Sequence, residues 1–225
     1  SDLQIIFATK NGNIRRNQLS DFTNIRQNGK IAMKLNETDE LVSVLPCSDR
    51  DNILLATRLG KAIRFYVNDV RVFVGRGSSG VRGVRLKPKD TVVSMSLIPD
   101  TNEKYVLSVT ENGFGKRTPV DDYRKTNRGG QGVANIECSA RNGPVVASYV
   151  ASENDQIMLV TNSGKLIRIR VNGGEGDTIR IAGRKTQGVR LFDVDEGEKV
   201  VSVALLNEND DEADDDEIKI TSDEN

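Results

Sequence analysis

One pattern of apolar and polar positions occurs four times along the chain. Each copy has an apolar run, a threonine, two further residues, a glycine, three more residues and an arginine. The glycines are Gly12, Gly60, Gly113 and Gly164, at steps of 48, 53 and 51 residues. A fixed period in this range is typical of a propeller or a linear array, in which one small unit is copied.

Each repeat predicts four strands. The apolar run is too short for a helix and indicates a buried strand, and the glycine after it permits the positive φ of a tight hairpin. The returning strands, expected at 13–19, 61–67, 114–120 and 165–171, carry more charge, which predicts half exposure. A second glycine (Gly29, Gly80, Gly132 or Gly188) opens a third strand, expected at 31–33, 81–86, 133–136 and 189–192. Closing strands are expected at 41–44, 92–95, 145–148 and 200–203.

Four strands per repeat with almost no helical periodicity predict a bladed all-β architecture. We expect one four-blade domain over residues 1–206, with repeats at about 3–50, 51–102, 103–154 and 155–206. The threonine before each turn suits a strand end, and its hydroxyl can form a local hydrogen bond in the turn. Residues 207–225 are predicted to form a separate, disordered acidic tail.

Composition excludes several classes of function. The chain has no histidine, no G-x-S-x-G motif and no P-loop, so we expect no catalytic site, cofactor or small-molecule substrate. Cys47 and Cys138 have no CxxC partner, which favours reduced thiols and excludes zinc. Asp21, Asp69 and Asp122 each lie nine residues after a turn glycine, so a turn role is favoured over a metal site. No apolar stretch approaches the ~20 residues of a spanning helix, and no signal peptide is present, which predicts a soluble cytoplasmic protein without a membrane partner.

Charge divides the chain into two parts. Residues 208–224 hold ten acidic side chains and one lysine, a net of −9. Removing these from the totals of 33 acidic and 32 basic residues leaves 23 and 31, so the repeat body carries +8. A basic body with an acidic tail indicates an anionic partner for the body, and a tail that competes for the same surface or only confers solubility.

The arginine of the repeated pattern occupies one register position, as Arg16, Arg64, Arg117 and Arg168. The same blade position in each repeat would form a stripe along the rim, which matches the repeated phosphates of duplex DNA. The other candidate DNA-binding residues flank this position or precede the second glycine: Arg15, Arg26, Lys30, Lys61, Arg71, Arg76, Arg82, Arg85, Lys116, Arg124, Lys125, Arg128, Lys165, Arg170, Arg184 and Lys185. Any single one of these could instead be an ordinary solvated side chain. Glycine-rich loops at 75–80 and 127–132 would let backbone amides approach a phosphate.

Several of these segments together resemble the carboxy-terminal domain of the bacterial DNA gyrase A protein, over about Leu3 to Leu206. They are Ala8-Thr9-Lys10-Asn11-Gly12, residues 110–118, Ser79-Gly80-Val81-Arg82-Gly83-Val84-Arg85-Leu86, and residues 183–189. The resemblance implies a β-pinwheel, a propeller variant whose blades exchange strands and whose basic rim wraps double-stranded DNA. It also implies a nucleoid-associated enzyme in which the rest of gyrase A and the gyrase B protein are partners. In that enzyme the wrap lets ATP-driven strand passage introduce negative supercoils.

The match to that family is incomplete. The family normally has six blades and a box, Gln-Arg-Arg-Gly-Gly-Lys-Gly, in the first, whereas this chain has four repeats and only an echo at residues 127–132. Together with the absence of an initial Met, this predicts a fragment without the upstream blades and without activity of its own. Two alternatives stay open: the corresponding domain of topoisomerase IV, which the acidic tail disfavours, and a propeller-like platform that binds proteins.

Overall fold

The computed structural model describes residues 3–99, 104–174 and 178–207. The predicted acidic tail lies outside the described residues after Asn207.

Sixteen strands and three single turns of 3-10 helix form the described chain. The first repeat contains β1 (Gln4–Thr9), β2 (Asn13–Gln18), η1 (Leu19–Phe22) and β3 (Leu41–Cys47). The second contains β4 (Asn52–Thr57), β5 (Lys61–Tyr66), η2 (Val67–Asp69), β6 (Val72–Phe73), β7 (Val81–Arg82) and β8 (Val92–Ile98). The third contains β9 (Tyr105–Thr110), β10 (Phe114–Pro119), η3 (Val120–Asp122), β11 (Val133–Ala134) and β12 (Val145–Ala151). The fourth contains β13 (Gln156–Thr161), β14 (Leu166–Arg170), β15 (Val189–Arg190) and β16 (Val200–Leu206).

Each repeat builds one antiparallel blade around its first strand. In the first blade, β1 pairs with the returning strand β2 on one side and with the closing strand β3 on the other. The same order recurs as β8-β4-β5, β12-β9-β10 and β16-β13-β14. The predicted hairpins and closing strands are therefore confirmed in all four repeats.

The turn that joins the first two strands has the predicted chemistry. Its glycines have φ between +78° and +86°. The hydroxyl of Thr9 accepts a hydrogen bond from the amide of Asn13 (3.2 Å), and Thr57 and Thr161 do the same for the amides of Lys61 and Lys165. The repeated threonine and glycine therefore close the hairpin.

Neighbouring blades exchange strands. The short strand after the second glycine pairs with the returning strand of the preceding blade: β7 with β2, β11 with β5, and β15 with β10. Each of the first three sheets thus takes its outermost strand from the next repeat, whereas β14 pairs within its sheet with β13 alone.

The prediction for the third strand is correct in position for three repeats but wrong for the first. Strands β7, β11 and β15 are two residues long, shorter than expected. No strand forms at residues 31–33. The reason is physical: this segment forms a strand only against the returning strand of the preceding blade, and among the described residues no blade precedes the first repeat.

The core lies mainly between blades. The closing strands β3, β8, β12 and β16 pack against one another in sequence, which places them on the inner side of the molecule. Ser94 of β8 donates to the carbonyl of Ser148 in β12 (2.9 Å) and accepts from its amide (3.0 Å). One apolar cluster joins Ile6 and Ile14 of the first blade to Phe65 of the second. Since the closing strands are inner, the exchanged strands and their loops form the outer circumference.

Candidate nucleic-acid interface

The structure contradicts the prediction of an exposed stripe formed by the arginines of the repeated pattern. Arg16, Arg64 and Arg117 are only 5%, 9% and 4% exposed, and Arg168 of β14 is the one exposed member of the series. Strands β2, β5 and β10 are buried along most of their length because the next repeat covers them. The half-exposed pattern predicted for returning strands occurs in β14.

The three buried members, here called the clamp arginines (Arg16, Arg64 and Arg117), hold the following repeat. Arg16 Nη1 donates to Asn68 Oδ1 in η2 (3.2 Å). Arg64 Nη1 donates to the carbonyl of Val120 in η3 (3.1 Å). Arg117 Nε donates to the carbonyl of Ile179 (2.8 Å).

Carboxylates compensate the buried charge of the clamp arginines. Arg16 pairs with Asp49 (2.7 Å), and Arg117 with Glu153 (3.2 Å). Burial lowers the pKa of Arg64, and Asp121, 3.9 Å away, opposes that change. The clamp arginines therefore join blades within the protein.

Two further predicted DNA-binding residues, Arg15 and Lys116, are also fully buried. Arg15 Nη1 donates to the carbonyls of Arg76 (2.8 Å) and Ser78 (2.7 Å), and Lys116 Nζ donates to the carbonyl of Gly183 (2.5 Å). Burial, with a contribution from nearby Arg184, lowers the pKa of Lys116 to about 8. Both residues hold a loop of the next repeat through hydrogen bonds to its carbonyls. The prediction that they lie on the surface is therefore also wrong.

Another set of arginines shares one position in three repeats, four residues before the second glycine. Its members, Arg76, Arg128 and Arg184, are half-buried, and each donates to a main-chain carbonyl of the preceding repeat. The acceptors are also equivalent: Ile31, Arg82 (2.5 Å) and Ala134 (2.9 Å), each two residues after its own second glycine. Sequence reasoning placed these arginines in the loops but missed the common spacing from the glycine.

The remaining predicted residues of the loops lie on the outer circumference. We call the following set the outer-loop cations: Arg26, Lys30, Arg71, Arg76, Arg82, Arg85, Arg124, Lys125, Arg128, Arg184 and Lys185. Of these, Lys30 and the three arginines just described are half-buried, and the others are exposed. In the described part of the chain, no outer-loop cation forms an ion pair.

Three cations near the hairpin turns are arranged differently, because nearby carboxylates neutralise them. Lys10 pairs with Glu40 (2.9 Å), and Glu111 binds both Arg58 (2.5 Å) and Lys199 (3.2 Å). Burial would raise the pKa of Glu111, but the hydrogen bonds from these two cations lower it. These three cations therefore already have carboxylate partners, which the outer-loop cations lack among the described residues.

Four predicted DNA-binding residues belong neither to the buried cations nor to the outer-loop cations. They are Lys165, Arg168 and Arg170 near β14, and Lys61. Lys165 is exposed but pairs with Asp195 (2.6 Å) and Glu198 (2.8 Å). Arg168 and Arg170 are exposed on β14, and Arg168 Nε donates to Gln156 Oε1 (2.7 Å). Lys61 is half-buried at the start of β5.

Two exposed lysines that the sequence reasoning did not select extend the outer loop of the second repeat. Lys87 and Lys89 follow Arg85 and are both exposed. In the sequence, cationic residues alternate with apolar ones in Arg85-Leu86-Lys87-Pro88-Lys89, and this pattern could have indicated that both lysines are exposed.

Aromatic rings on this surface are covered by cations. The Arg71 guanidinium lies 4.1 Å from the ring centroid of Phe73, and Lys125 Nζ lies 4.8 Å from that of Tyr66. Rings covered in this way do not offer a free face to a nucleobase, so the surface is suited to phosphate contact and not to base stacking.

Other kinds of site find no support in the described residues. No group of three or more His, Cys, Asp or Glu side chains in this part of the chain could hold a metal ion. The same residues include no helix of the length and apolar character needed to span a bilayer.

Four small sheets joined by exchanged outer strands define a propeller-type repeat domain. The family model of the DNA gyrase C-terminal domain, beta-propeller, matches residues 4–48, 51–99, 104–143 and 155–207. The chain belongs to this family.

Similar proteins agree with this assignment. The DNA gyrase A protein of Rickettsia bellii (strain RML369-C) is 40% identical over 261 residues, covering 96% of this chain and 28% of that protein. The DNA gyrase A protein of Staphylococcus epidermidis (strain ATCC 12228 / FDA PCI 1200) is 42% identical over 207 residues, covering 92% of this chain and 22% of that protein. The chain thus spans roughly a quarter of these curated relatives.

Two solved structures share the fold. The C-terminal domain of DNA topoisomerase IV superposes with a TM-score of 0.84 at 26% identity, covering 93% of this chain and 63% of that one. The DNA gyrase A C-terminal domain gives 0.79 at 28% identity, covering 92% and 66%. Fold similarity alone does not separate the two enzymes, whereas the family model and the curated relatives named above are those of gyrase.

Proposed function

We propose that this chain binds double-stranded DNA without sequence specificity through its outer-loop cations. In this proposal it acts as the accessory domain around which gyrase wraps DNA to introduce negative supercoils. The rest of gyrase A and the gyrase B protein supply cleavage and ATP hydrolysis, and the enzyme works on the nucleoid in the cytoplasm.

The observation that carries this proposal is the contrast between two sets of surface cations. Lys10, Arg58 and Lys199 near the hairpin turns are paired with carboxylates, whereas in the described residues the outer-loop cations are without ion pairs. A cation that already has a carboxylate partner must break that pair to bind phosphate. An unpaired one gains a partner and releases a counterion from the DNA.

The position of the outer-loop cations supports a contact that follows the DNA backbone. They recur in successive repeats on or beside the exchanged strands, as with Arg82 on β7 and Arg124 and Lys125 after η3. Phosphates repeat along a duplex, so a cation at each blade contacts phosphates spread along the DNA and favours bending it around the circumference. Because few rings are free, sequence readout through stacking is not expected.

A salt titration of DNA binding tests the proposal. The double variant Arg85→Ala/Arg124→Ala removes two exposed outer-loop cations. It should weaken binding to a duplex, followed by fluorescence anisotropy, roughly 10-fold or more near 0.1 M salt, and reduce the slope of log K against log [salt] by about 1.8. Retained affinity and slope would reject the outer loops as the DNA-binding surface.

The matched control is Lys10→Ala/Lys199→Ala, which removes the same amount of charge from cations that already have carboxylate partners. Lys10 is paired with Glu40, and Lys199 is paired with Glu111. This control should change affinity by less than about 3-fold, because nonspecific loss of two charges is screened at this salt. If wild-type protein binds a protein partner in a salt-independent way and no DNA at low salt, the interaction-platform alternative replaces this proposal.

A further inference from the structure

A cavity lies at the outer edge of the joint between the first and second repeats. Its lining consists of Asn24, Arg26, Asn28, Gly29, Lys30, Ile31 and Arg76, and its volume is about 510 Å³. Three of these described lining residues are cationic and none is acidic. A second cavity, near Arg141, Arg190 and Lys199, also contains Asp193, Asp195 and Glu198, so it lacks this excess of positive charge.

The loop beside the first cavity is held in place from beneath by Arg15 and Asn17. Arg15 donates to the carbonyls of Arg76 and Ser78, and also to that of Ala32 from the other side of the joint. Its Nε donates to Asn17 Oδ1 (2.8 Å), and Asn17 Nδ2 donates to the carbonyls of Phe73 (3.1 Å) and Gly75 (2.8 Å). These bonds fix the loop of the second repeat against the loop of the first.

The direction of the loop's carbonyl groups determines which of its atoms can contact a ligand. The carbonyl oxygens of residues 73, 75, 76 and 78 all accept hydrogen bonds from Arg15 or Asn17. In the described part of the chain, the amides of residues 76–79 find no acceptor within hydrogen-bonding distance. Amides without an acceptor, combined with nearby cations, are the elements of an anion-binding loop.

The other two joints lack this arrangement. The position of Arg15 is Ile63 in the second repeat and Lys116 in the third, where a single bond reaches the carbonyl of Gly183. At the second joint the amide of Arg85 bonds the carbonyl of Gly130, and the amide of Gly129 bonds that of Gly83. At the second joint the amide of Gly129 is therefore unavailable to an anion. At the third joint the amides of residues 184–187 have no acceptor among the described residues either, but Lys116 in place of Arg15 bonds only one loop carbonyl there.

We propose that the cavity at the first joint binds one phosphate group of a DNA strand, with Arg26, Lys30 and Arg76 as its cationic ligands and Arg15 as the positioning residue beneath. This inference rests on the proposed function and makes one joint the strongest phosphate site on the circumference.

Arg26→Ala/Lys30→Ala tests the ligands in the full chain. Relative to Arg85→Ala/Arg124→Ala, which removes two outer-loop cations away from the cavity, the same loss of charge should weaken duplex binding at least roughly 3-fold more near 0.1 M salt, with the same reduction of the salt slope of about 1.8. Equal effects of the two double variants, with salt-dependent binding by wild type, would overturn the cavity assignment and leave the proposed function intact. Failure of wild type to bind duplex DNA would instead reject both.

Arg15→Lys tests the positioning role, because it keeps the charge but cannot reproduce the bonds to several carbonyls. We expect weaker DNA binding with an unchanged salt slope, measured well below the melting temperature of the variant. A lower melting temperature with unchanged affinity would show that Arg15 only supports the fold. A titration with inorganic phosphate, followed by ³¹P NMR, separates the sources: saturable binding that Arg26→Ala/Lys30→Ala abolishes, without duplex binding, would assign the cavity to free phosphate and overturn its role in DNA binding.

Discussion

The second glycine of each repeat is required by the exchange of strands. A Cβ atom at Gly80, Gly132 or Gly188 would lie 2.3, 2.3 or 2.6 Å from a main-chain oxygen of the preceding blade. The oxygens belong to the equivalent residues Ile14, Ala62 and Gly115, so the same close approach is repeated at every joint. Gly29 has the same positive φ, but nothing lies within 4 Å of its Cβ position.

This difference allows a matched pair of alanine variants. Gly29→Ala should destabilise the fold by about 1–2 kcal/mol, because alanine is strained at positive φ. Gly132→Ala carries the same strain and also forces the exchanged strand β11 away from β5, so its cost should be larger by at least about 1–2 kcal/mol. Urea unfolding measures both, and equal losses would show that the close approach relaxes without cost.

At the scale of single elements, the returning strand is the part of the blade whose environment depends on the next repeat. Arg117 of β10 and Arg168 of β14 occupy equivalent positions, yet the first is buried against Ile179 and the second is exposed. Arg117→Met should therefore cost about 1–3 kcal/mol, since the Ile179 carbonyl and Glu153 lose their donor. Arg168→Met should stay within about 0.5 kcal/mol.

Thermal unfolding of the two variants checks this prediction, and DNA binding adds a second readout. Below its melting temperature Arg117→Met should bind duplex DNA with the wild-type salt slope, because its guanidinium is not on the surface. A slope reduced by about 0.9 would show that Arg117 contacts phosphate after all and would restore the stripe predicted from the sequence.

The same strands show which features of the fold could be predicted from the sequence and which could not. Hairpins and turn threonines were predictable because they depend on neighbours within about 20 residues, and the closing strands because their own short apolar runs indicate strands. Burial of Arg16 and Arg64 was not, because it depends on a strand supplied from a repeat roughly 50 residues away. A charged side chain on a strand is ordinarily interpreted as exposed. Here main-chain carbonyls of the next blade and a carboxylate of the arginine's own repeat, such as Asp49, compensate its charge. For the candidate site, the loop cations were found from the sequence, but their lack of ion pairs required the fold.

At the scale of the whole molecule, the arrangement of the blades decides what DNA binding can accomplish. Inner closing strands pack in series from β3 to β16, and the outer-loop cations follow the opposite, outer side. A duplex that keeps contact with cations of several blades must curve, and a curved path that leaves a plane changes the writhe of a closed plasmid. Bending a short duplex costs of order 1–6 kcal/mol, which several phosphate contacts are able to offset.

A topology assay tests this directly. Relaxed plasmid is incubated with the full chain, its linking number is reset with a nicking-closing enzyme, and the protein is then removed. We expect a change in linking number that grows with the protein-to-DNA ratio. Its sign gives the handedness of the wrap, and Arg85→Ala/Arg124→Ala should reduce its size while Lys10→Ala/Lys199→Ala should not. Salt-dependent binding without any change in linking number would mean that the four blades hold DNA along a flat path, and wrapping by this chain would then be rejected.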